Sequence, residues 1–322
     1  MTEHTAPSSA QELIYGCMGL GGSWSDEPHG TDHVDEAAAA IEAALDAGIT
    51  LFDHADIYRK GKSEAVFGEV LAATPGLRER IRLQTKCGIR LGEKGIPGHY
   101  DLSRDAILER VGGSLARLRT DFVDVLLLHR PDPLTDLAEV ADAVGQLMAE
   151  GKVRALGVSN MSGAQIQALQ DRLEVPLVAN QLEMSLLKRA WLESQVLVNH
   201  AESLDYSFPH GTLEYCARNG LTLQAYGALA RGLYTGAAPE DPTTAETAAA
   251  TLVAELAGKY GTSGEAVLLG WLMKHPAKIA PVIGTVNPAR IRACADAGRV
   301  AAALTRTEWY GLWIAARGTS IP

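Results

Sequence analysis

Cysteine is scarce in this chain of 322 residues, and what there is does not cluster. Cys17, Cys87, Cys216 and Cys294 show neither a CxxC pair nor metal-ligand spacing. This argues against a disulfide framework and a zinc site and predicts reduced thiols in a cytosolic protein. Positive charge is also short: 29 Lys and Arg against 39 Asp and Glu leave a formal net charge of −10. No run of Lys or Arg builds the basic stripe that a nucleic-acid surface needs. No 18 consecutive residues are apolar, which excludes a membrane-spanning helix. The start, Met1 to Gln11, is polar and lacks the apolar core of a signal peptide, so the expected location is cytoplasmic. A dinucleotide fingerprint is missing too. Glycines stand at 19, 21 and 22, but G-x-G-x-x-G would need a glycine where Trp24 stands.

What is present suits a large core: 47% of residues are hydrophobic and 21% charged. Apolar runs with the composition of buried strands cover Leu13–Met18, Leu51–Asp53, Ile81–Lys86, Phe122–Leu128, Val153–Ser159, Leu177–Leu182, Leu221–Tyr226 and Pro281–Ile283. Helical patterns lie between them: Val34–Ala47, Ser63–Ala73, Ser103–Leu118, Leu137–Glu150, Ala164–Leu173, Thr212–Arg218, Thr247–Lys259 and Glu265–Lys274, with Pro288–Ala297 and Thr307–Ala316 at the end. A glycine-rich loop is expected over 88–98, and 183–210 reads as a long insertion on the mouth face that shapes substrate access. Eight strands alternating with helices, without a linker-like break, predict an α/β fold of one domain over 1–322, a parallel (β/α)8 TIM barrel.

In such a barrel the chemistry gathers where the strands' C-terminal ends meet. Three strands end on ionisable residues, Asp53, Lys86 and His129, and Tyr58 follows Asp53 by five positions. Asp, Tyr, Lys and His at one mouth form a proton-transfer set. A free phenol has a pKa of about 10 and donates poorly at neutral pH. A neighbouring ammonium should stabilise the phenolate, each tenfold gain in acidity being worth about 1.4 kcal/mol. Taken singly, each residue has a plainer reading: a loop packer, a solvated strand end, a helix cap, a core histidine.

Several segments together resemble the aldo-keto reductase family, in its bacterial branch. They are Asp53-His54-Ala55-Asp56-Ile57-Tyr58, Ser114-Leu115-Ala116-Arg117-Leu118, Asp121-Phe122-Val123-Asp124 continuing to His129-Arg130-Pro131-Asp132, and Gly151 through Asn160. The resemblance implies a (β/α)8 barrel, a nicotinamide cofactor (NADP(H) preferred, NAD(H) possible) and reversible reduction of an aldehyde or ketone. It implies Tyr58 as proton donor, assisted by Lys86 and Asp53, with His129 as a neutral hydrogen-bond donor to the carbonyl oxygen. It further implies cofactor contacts at Gly16, Cys17 and Met18, at Asp53, and from Ser159, Asn160 and Gln181 to the carboxamide. Tyr226 is the implied stacking ring, and Gly227, Ala228, Leu229, Ala230, Arg231 and Gly232 the pyrophosphate loop. Gly284, Thr285 and Arg290 match the adenosine-phosphate site.

Plainer roles stand beside some of these: Ser159 and Asn160 as a helix cap, Tyr226 as barrel packing, Arg290 as a solvated helix charge. Trp24 is read either as lining of the substrate pocket or as cover for the barrel. Two departures from the family pattern stand out. Ala293 and Cys294 replace an acidic residue and an asparagine near the adenine, which leaves the choice between NADPH and NADH open. Arg59 replaces the glycine usual after the tyrosine and would narrow the mouth.

Two other readings compete. One is a metal-dependent barrel hydrolase using Asp53, His54, Asp56 and His129; the other is a cofactor-binding regulatory module with little turnover. The expected partner is a small carbonyl or alcohol, with no nucleic acid, membrane or metal.

Overall fold

The computed structural model describes residues 12–93, 95–237 and 239–322, so the polar start read from Met1 to Gln11 lies outside the described residues. Eight short strands carry the architecture: β1 (Ile14–Gly16), β2 (Leu51–Asp53), β3 (Arg82–Cys87), β4 (Val125–Leu128), β5 (Leu156–Ser159), β6 (Leu177–Glu183), β7 (Thr222–Tyr226) and β8 (Ala280–Ile283). Nearly every position along them is buried. That is why they read as continuous apolar runs instead of alternating ones. They close a parallel barrel in which each strand lies beside its chain neighbour and β8 lies beside β1. The fold is the (β/α)8 barrel that the alternation predicts.

Register then decides which side chains reach one level. Gly16 pairs with Asp53, Asp53 with Gln84, and Lys86 with Leu127. Past the strands the parallel ladder continues: the amide of His54 donates to the Gln84 carbonyl at 2.8 Å and that of Asp56 to the Lys86 carbonyl at 3.0 Å. The His129 amide likewise donates to the Cys87 carbonyl at 2.9 Å.

Two compact units divide the chain. The first comprises Ile14–Leu182 and Gly284–Arg292. Its core includes Tyr15 against Phe52 and Phe52 against Phe67, with ring centroids 5.7 and 5.3 Å apart. Gly68, on the Lys62–Ala73 helix, lets that helix meet the Arg104–Leu118 helix backbone to backbone. A Cβ there would come within 2.1 Å of the Arg117 carbonyl oxygen. The close approach allows Arg117 to reach the buried Glu64 at 2.8 Å.

The second unit comprises Glu183–Ile283 and Ala293–Pro322. In it Trp271 and Trp309 stack at 5.2 Å, and each indole N–H donates to the other's backbone carbonyl, at 3.0 and 2.9 Å. Glu193 is sealed from solvent and accepts from Trp313 Nε1 at 2.8 Å and Arg317 Nε at 3.1 Å. A buried carboxylate needs such company, because an unpaired charge there costs several kcal/mol.

Differences from the sequence reading are local. The first strand is shorter than Leu13–Met18 and gives way to a 3-10 turn at Cys17–Gly19. The fourth begins at Val125; Val123 makes only an isolated bridge to Val153. The loop after β3 carries a small antiparallel pair, Ile89–Arg90 with His99–Tyr100. Pro288–Ala297 stops at Ala293, and a further helix spans Ala297–Ala303. Segment 183–210 contains the helix Ala190–Val196 and a 3-10 turn at Ala201–Asp205, with Trp191 and Glu193 buried in the second unit.

Candidate active site

Lys86 is the hub of the first unit's mouth. It is fully buried, and its Nζ reaches Asp53 Oδ1 and Oδ2 at 2.8 and 2.7 Å, the His54 carbonyl at 2.8 Å and the Tyr58 hydroxyl at 3.1 Å. Asp53 also accepts from Gln84 Nε2 at 2.5 Å. Gln84 was missed in the sequence, although its place two residues before Lys86 puts it on the same strand face. His129 completes the group, its ring edge-on to Tyr58 with centroids 6.1 Å apart. The four residues expected at one mouth are therefore together.

Tyr58 is delivered by a tight turn. Its amide donates to the Ala55 carbonyl at 3.0 Å, and the next two residues, Arg59 and Lys60, both adopt left-handed backbone angles (φ 50° and 58°). Non-glycine residues pay roughly 1–2 kcal/mol for that conformation. Contacts hold it here: Arg59 donates from Nε to the Met18 carbonyl at 3.1 Å and lies 5.5 Å from the Trp24 ring centroid. Lys60 reaches the exposed Asp26 at 2.6 Å. The guanidinium of Arg59 is thus laid on Trp24, which is itself 41% exposed.

The charges are tuned by burial. For Lys86, burial opposes the ammonium, but Asp53 and Tyr58 outweigh it and the pKa rises above its usual value. His129 is driven down to about 2 by burial, with Lys86 and Arg130 adding to the effect, so it is neutral at any working pH. Its Nδ1 is buried without a hydrogen-bond partner. Tyr58 corrects the sequence expectation of an acidified phenol. Burial raises its pKa; Lys86 pulls downward, Asp53 adds to the rise, and the balance stays above 10. At rest the phenol keeps its proton, and the ammonium's help is realised as negative charge forms on the oxygen.

The expected cofactor residues fall in both units. In the first, Ser159 Oγ and the Asn160 amide both donate to the Gln181 carbonyl at 2.9 Å, and Asn160 Nδ2 reaches Ser159 Oγ at 2.7 Å. Asn160 is left-handed, with φ 58°. Cys17 is buried and its carbonyl accepts from Ser63 at 2.7 Å, whereas Met18 is half exposed. Gly284 and Thr285 follow β8; the Thr285 carbonyl accepts from the Tyr15 hydroxyl at 3.1 Å. Arg290 lies on the short Pro288–Ala293 helix capped by Asn287. In the second unit, Tyr226 ends β7 and its carbonyl accepts from the Met184 amide at 3.2 Å. Gly227 and the consecutive Ala230, Arg231 and Gly232 have positive φ, a backbone path that can turn amides toward an anion. Of the two departures, Ala293 accepts from Ser263 at 2.6 Å through its carbonyl, and Cys294 is buried.

The metal-site alternative is not assembled. The His54 ring packs on Phe67 at 4.6 Å, Asp53 is held by Lys86, and Asp56 faces Arg110. Among the described residues no three His, Cys, Asp or Glu are grouped to hold a metal ion. Nor, among them, is any helix long and apolar enough to cross a membrane.

Comparison with known proteins gives the family. The aldo/keto reductase family profile matches residues 12–309. A 6-dehydroglucose reductase of Agrobacterium fabrum is 38% identical over 315 residues, covering 96% of this chain and 95% of its own. The uncharacterized oxidoreductase YcsN of Bacillus subtilis is 38% identical over 293 residues, covering 89% of this chain and 90% of its own. Among solved structures, the glycerol dehydrogenase AKR11B4 from Gluconobacter oxydans superposes with a TM-score of 0.79 at 28% identity, covering 96% of this chain and 92% of that one. The chain belongs to the aldo/keto reductase family, the nicotinamide-dependent oxidoreductases of carbonyl groups.

Proposed function

We propose that this protein reduces a small hydroxylated aldehyde or ketone to the alcohol, with NADPH preferred over NADH and Tyr58 as the proton donor. The observation that carries the reading is the single ammonium of Lys86, bonded at once to the Asp53 carboxylate and the Tyr58 hydroxyl. The substrate class follows the names of relatives, two called 6-dehydroglucose reductase and one structural neighbour called a glycerol dehydrogenase.

When bound, the reduced nicotinamide supplies a hydride to the carbonyl carbon. The chain's own residues deal with the oxygen. Neutral His129 orients it by hydrogen bonding, and Tyr58 gives it the proton. The phenolate left behind faces Lys86, whose charge Asp53 secures. Ser159, Asn160 and Gln181 offer the mix of donors and acceptors that a carboxamide needs. Gly16, Cys17 and Met18 are assigned to the cofactor as well. Gly284, Thr285 and Arg290 are assigned to the adenosine phosphate, where a guanidinium can fork onto oxygens. Tyr226 and residues 227–232 are assigned to stacking and to the pyrophosphate.

The test is initial-rate NADPH and NADH oxidation with sugar-derived and simple aldehydes, paired with titration of nicotinamide fluorescence. Tyr58→Phe should lower turnover by about 10²–10⁴-fold, the contribution expected of a positioned acid, while cofactor binding stays. Undiminished turnover in Tyr58→Phe, or tight NADPH binding without turnover on any carbonyl, would overturn the assignment.

A further inference from the structure

Tyr58 turns its hydroxyl to Lys86, and the next residue, Arg59, carries its side chain across to the turn that follows β1. There Nε donates to the Met18 carbonyl at 3.1 Å and the cation lies over the Trp24 ring. Both contacts leave Nη1 and Nη2 open. Among the described residues neither has a hydrogen-bond partner, and no carboxylate pairs with Arg59. Neither nitrogen is sealed from solvent, so a substrate can reach both. The basic neighbours are engaged: Lys60 holds Asp26 at 2.6 Å, and Lys62 donates to the Ser25 and Glu27 carbonyls at 3.0 and 2.9 Å.

A second open cation adjoins His129. Arg130, the next residue, is partly buried and pairs with no carboxylate among the described residues. Its charge contributes to holding His129 neutral. Asp132, two positions on, is committed to the amides of Leu102 and Leu134, at 3.0 and 2.9 Å. Arg59 also keeps a left-handed backbone, φ 50°, that glycine would adopt without strain. A backbone outlier beside the proton donor points to a role in the site. The chemistry names the role: a guanidinium presents N–H groups in a fork that matches the oxygens of a carboxylate or phosphate. On a chain of net charge −10, an anion is repelled by most of the surface and drawn to such a place.

We propose that Arg59 binds an anionic group of the carbonyl substrate, a carboxylate or phosphate, with Arg130 adding to the attraction. Hydroxylated aldehydes and ketones that bear such a group are then preferred over neutral ones. The inference rests on the reductase reading above and narrows its substrate class. All the groups it uses lie in the first unit, on the loops that follow β1, β2 and β4, at the barrel face where chemistry gathers.

The experiment compares initial rates of the full chain with NADPH within matched pairs: glyceraldehyde 3-phosphate against glyceraldehyde, and glucuronate against glucose. The acidic member of at least one pair should have the higher kcat/KM, by about tenfold or more, and the pair that responds tells phosphate from carboxylate. Arg59→Met should lower that ratio about tenfold or more, chiefly through KM of the acidic member, as loss of a charged donor predicts. Arg59→Gly suits the left-handed backbone and should act in the same direction; it decides should Arg59→Met fail to fold by circular dichroism. A residue that merely fastens Trp24 would change both members of a pair alike, so a ratio unmoved in the variants would overturn the proposal. Neutral members reduced as well as acidic ones would overturn it too, and leave the reductase reading standing. No turnover of any member, nor of simple aldehydes, would overturn the reductase reading and this inference with it.

Discussion

Replacing Asp56 with asparagine should stabilise the protein, and by more as the pH rises. Burial raises the Asp56 carboxyl from 3.8 to about 7; Glu64 adds to this, while Arg110, Arg117 and the Ile57 amide pull the other way. The folded chain therefore holds a proton that the unfolded chain releases. The stabilisation tied to that proton is complete below pH 3.8 and is lost as pH climbs to about 7, beyond which the curve is flat. Between pH 5.5 and the folded pKa of about 7, at about 1.4 kcal/mol per pH unit, the wild type gives up about 2 kcal/mol. Asparagine has nothing to titrate. Its advantage over the wild type should grow by that amount, about 2 kcal/mol, between pH 5.5 and pH 8.5. Urea unfolding of both proteins at the two pH values, followed by far-ultraviolet circular dichroism, measures the difference, and other titrating groups cancel in the comparison. An equal gap at both pH values, or a gap that shrinks at pH 8.5, would refute a buried, proton-holding Asp56.

Lys86→Met should destabilise the fold by about 3–5 kcal/mol, because it leaves the Asp53 carboxylate buried without its counter-charge; chemical denaturation reads this directly, and a loss below 1 kcal/mol would contradict the burial. Adding Asp53→Leu to that variant should recover part of the stability without recovering activity, since apolar replacement of a whole buried pair is tolerated better than half of it. Gly68→Ala should cost about 1–3 kcal/mol by driving a Cβ into the Arg117 carbonyl, measured as a lower urea midpoint. His129 is neutral, with its pKa near 2, so the pH–rate profile of reduction should show no step from His129 between pH 5 and 8, and a step removed by His129→Gln would argue against this. Lys60→Gly should relieve left-handed strain and raise stability by roughly 1 kcal/mol, since the exposed ion pair it gives up with Asp26 is worth little.

Much of this site is legible in sequence because strands buried on both faces announce themselves as apolar runs, and their ends fall on Asp53, Lys86 and His129. Once the alternation calls for a barrel, parallel register brings those ends together. The small antiparallel pair at Ile89–Arg90 and His99–Tyr100 was not legible. Two-residue strands have no periodicity, and the Gly, Pro and charged residues around them read as loop. Arg110 escaped for a different reason: on a helix with polar neighbours its guanidinium looks solvated, and only packing against the turn after β2 buries its Nε. Asp56 reads in sequence as a metal ligand of the competing hydrolase, because a carboxylate near a histidine suggests one. Its true neighbour is 54 positions away in sequence, at Arg110, a separation that no local pattern reports. The direction in which the Tyr58 pKa moves was equally hidden, since the depth of burial that outweighs the Lys86 ammonium is a property of the folded chain.

The three acceptor groups around Lys86 Nζ, two from side chains and one from the backbone, have a chemical consequence. An aldehyde condenses with a free amine, and an enzyme that handles aldehydes risks being consumed by its own substrate through imine formation. The nitrogen nearest to Tyr58 is a poor nucleophile: Asp53 and Tyr58 hold its pKa above the usual lysine value, and its N–H groups point at Asp53, the His54 carbonyl and Tyr58 in a fully buried site. The ionic clasp that readies the phenol also makes its lysine inert toward electrophiles.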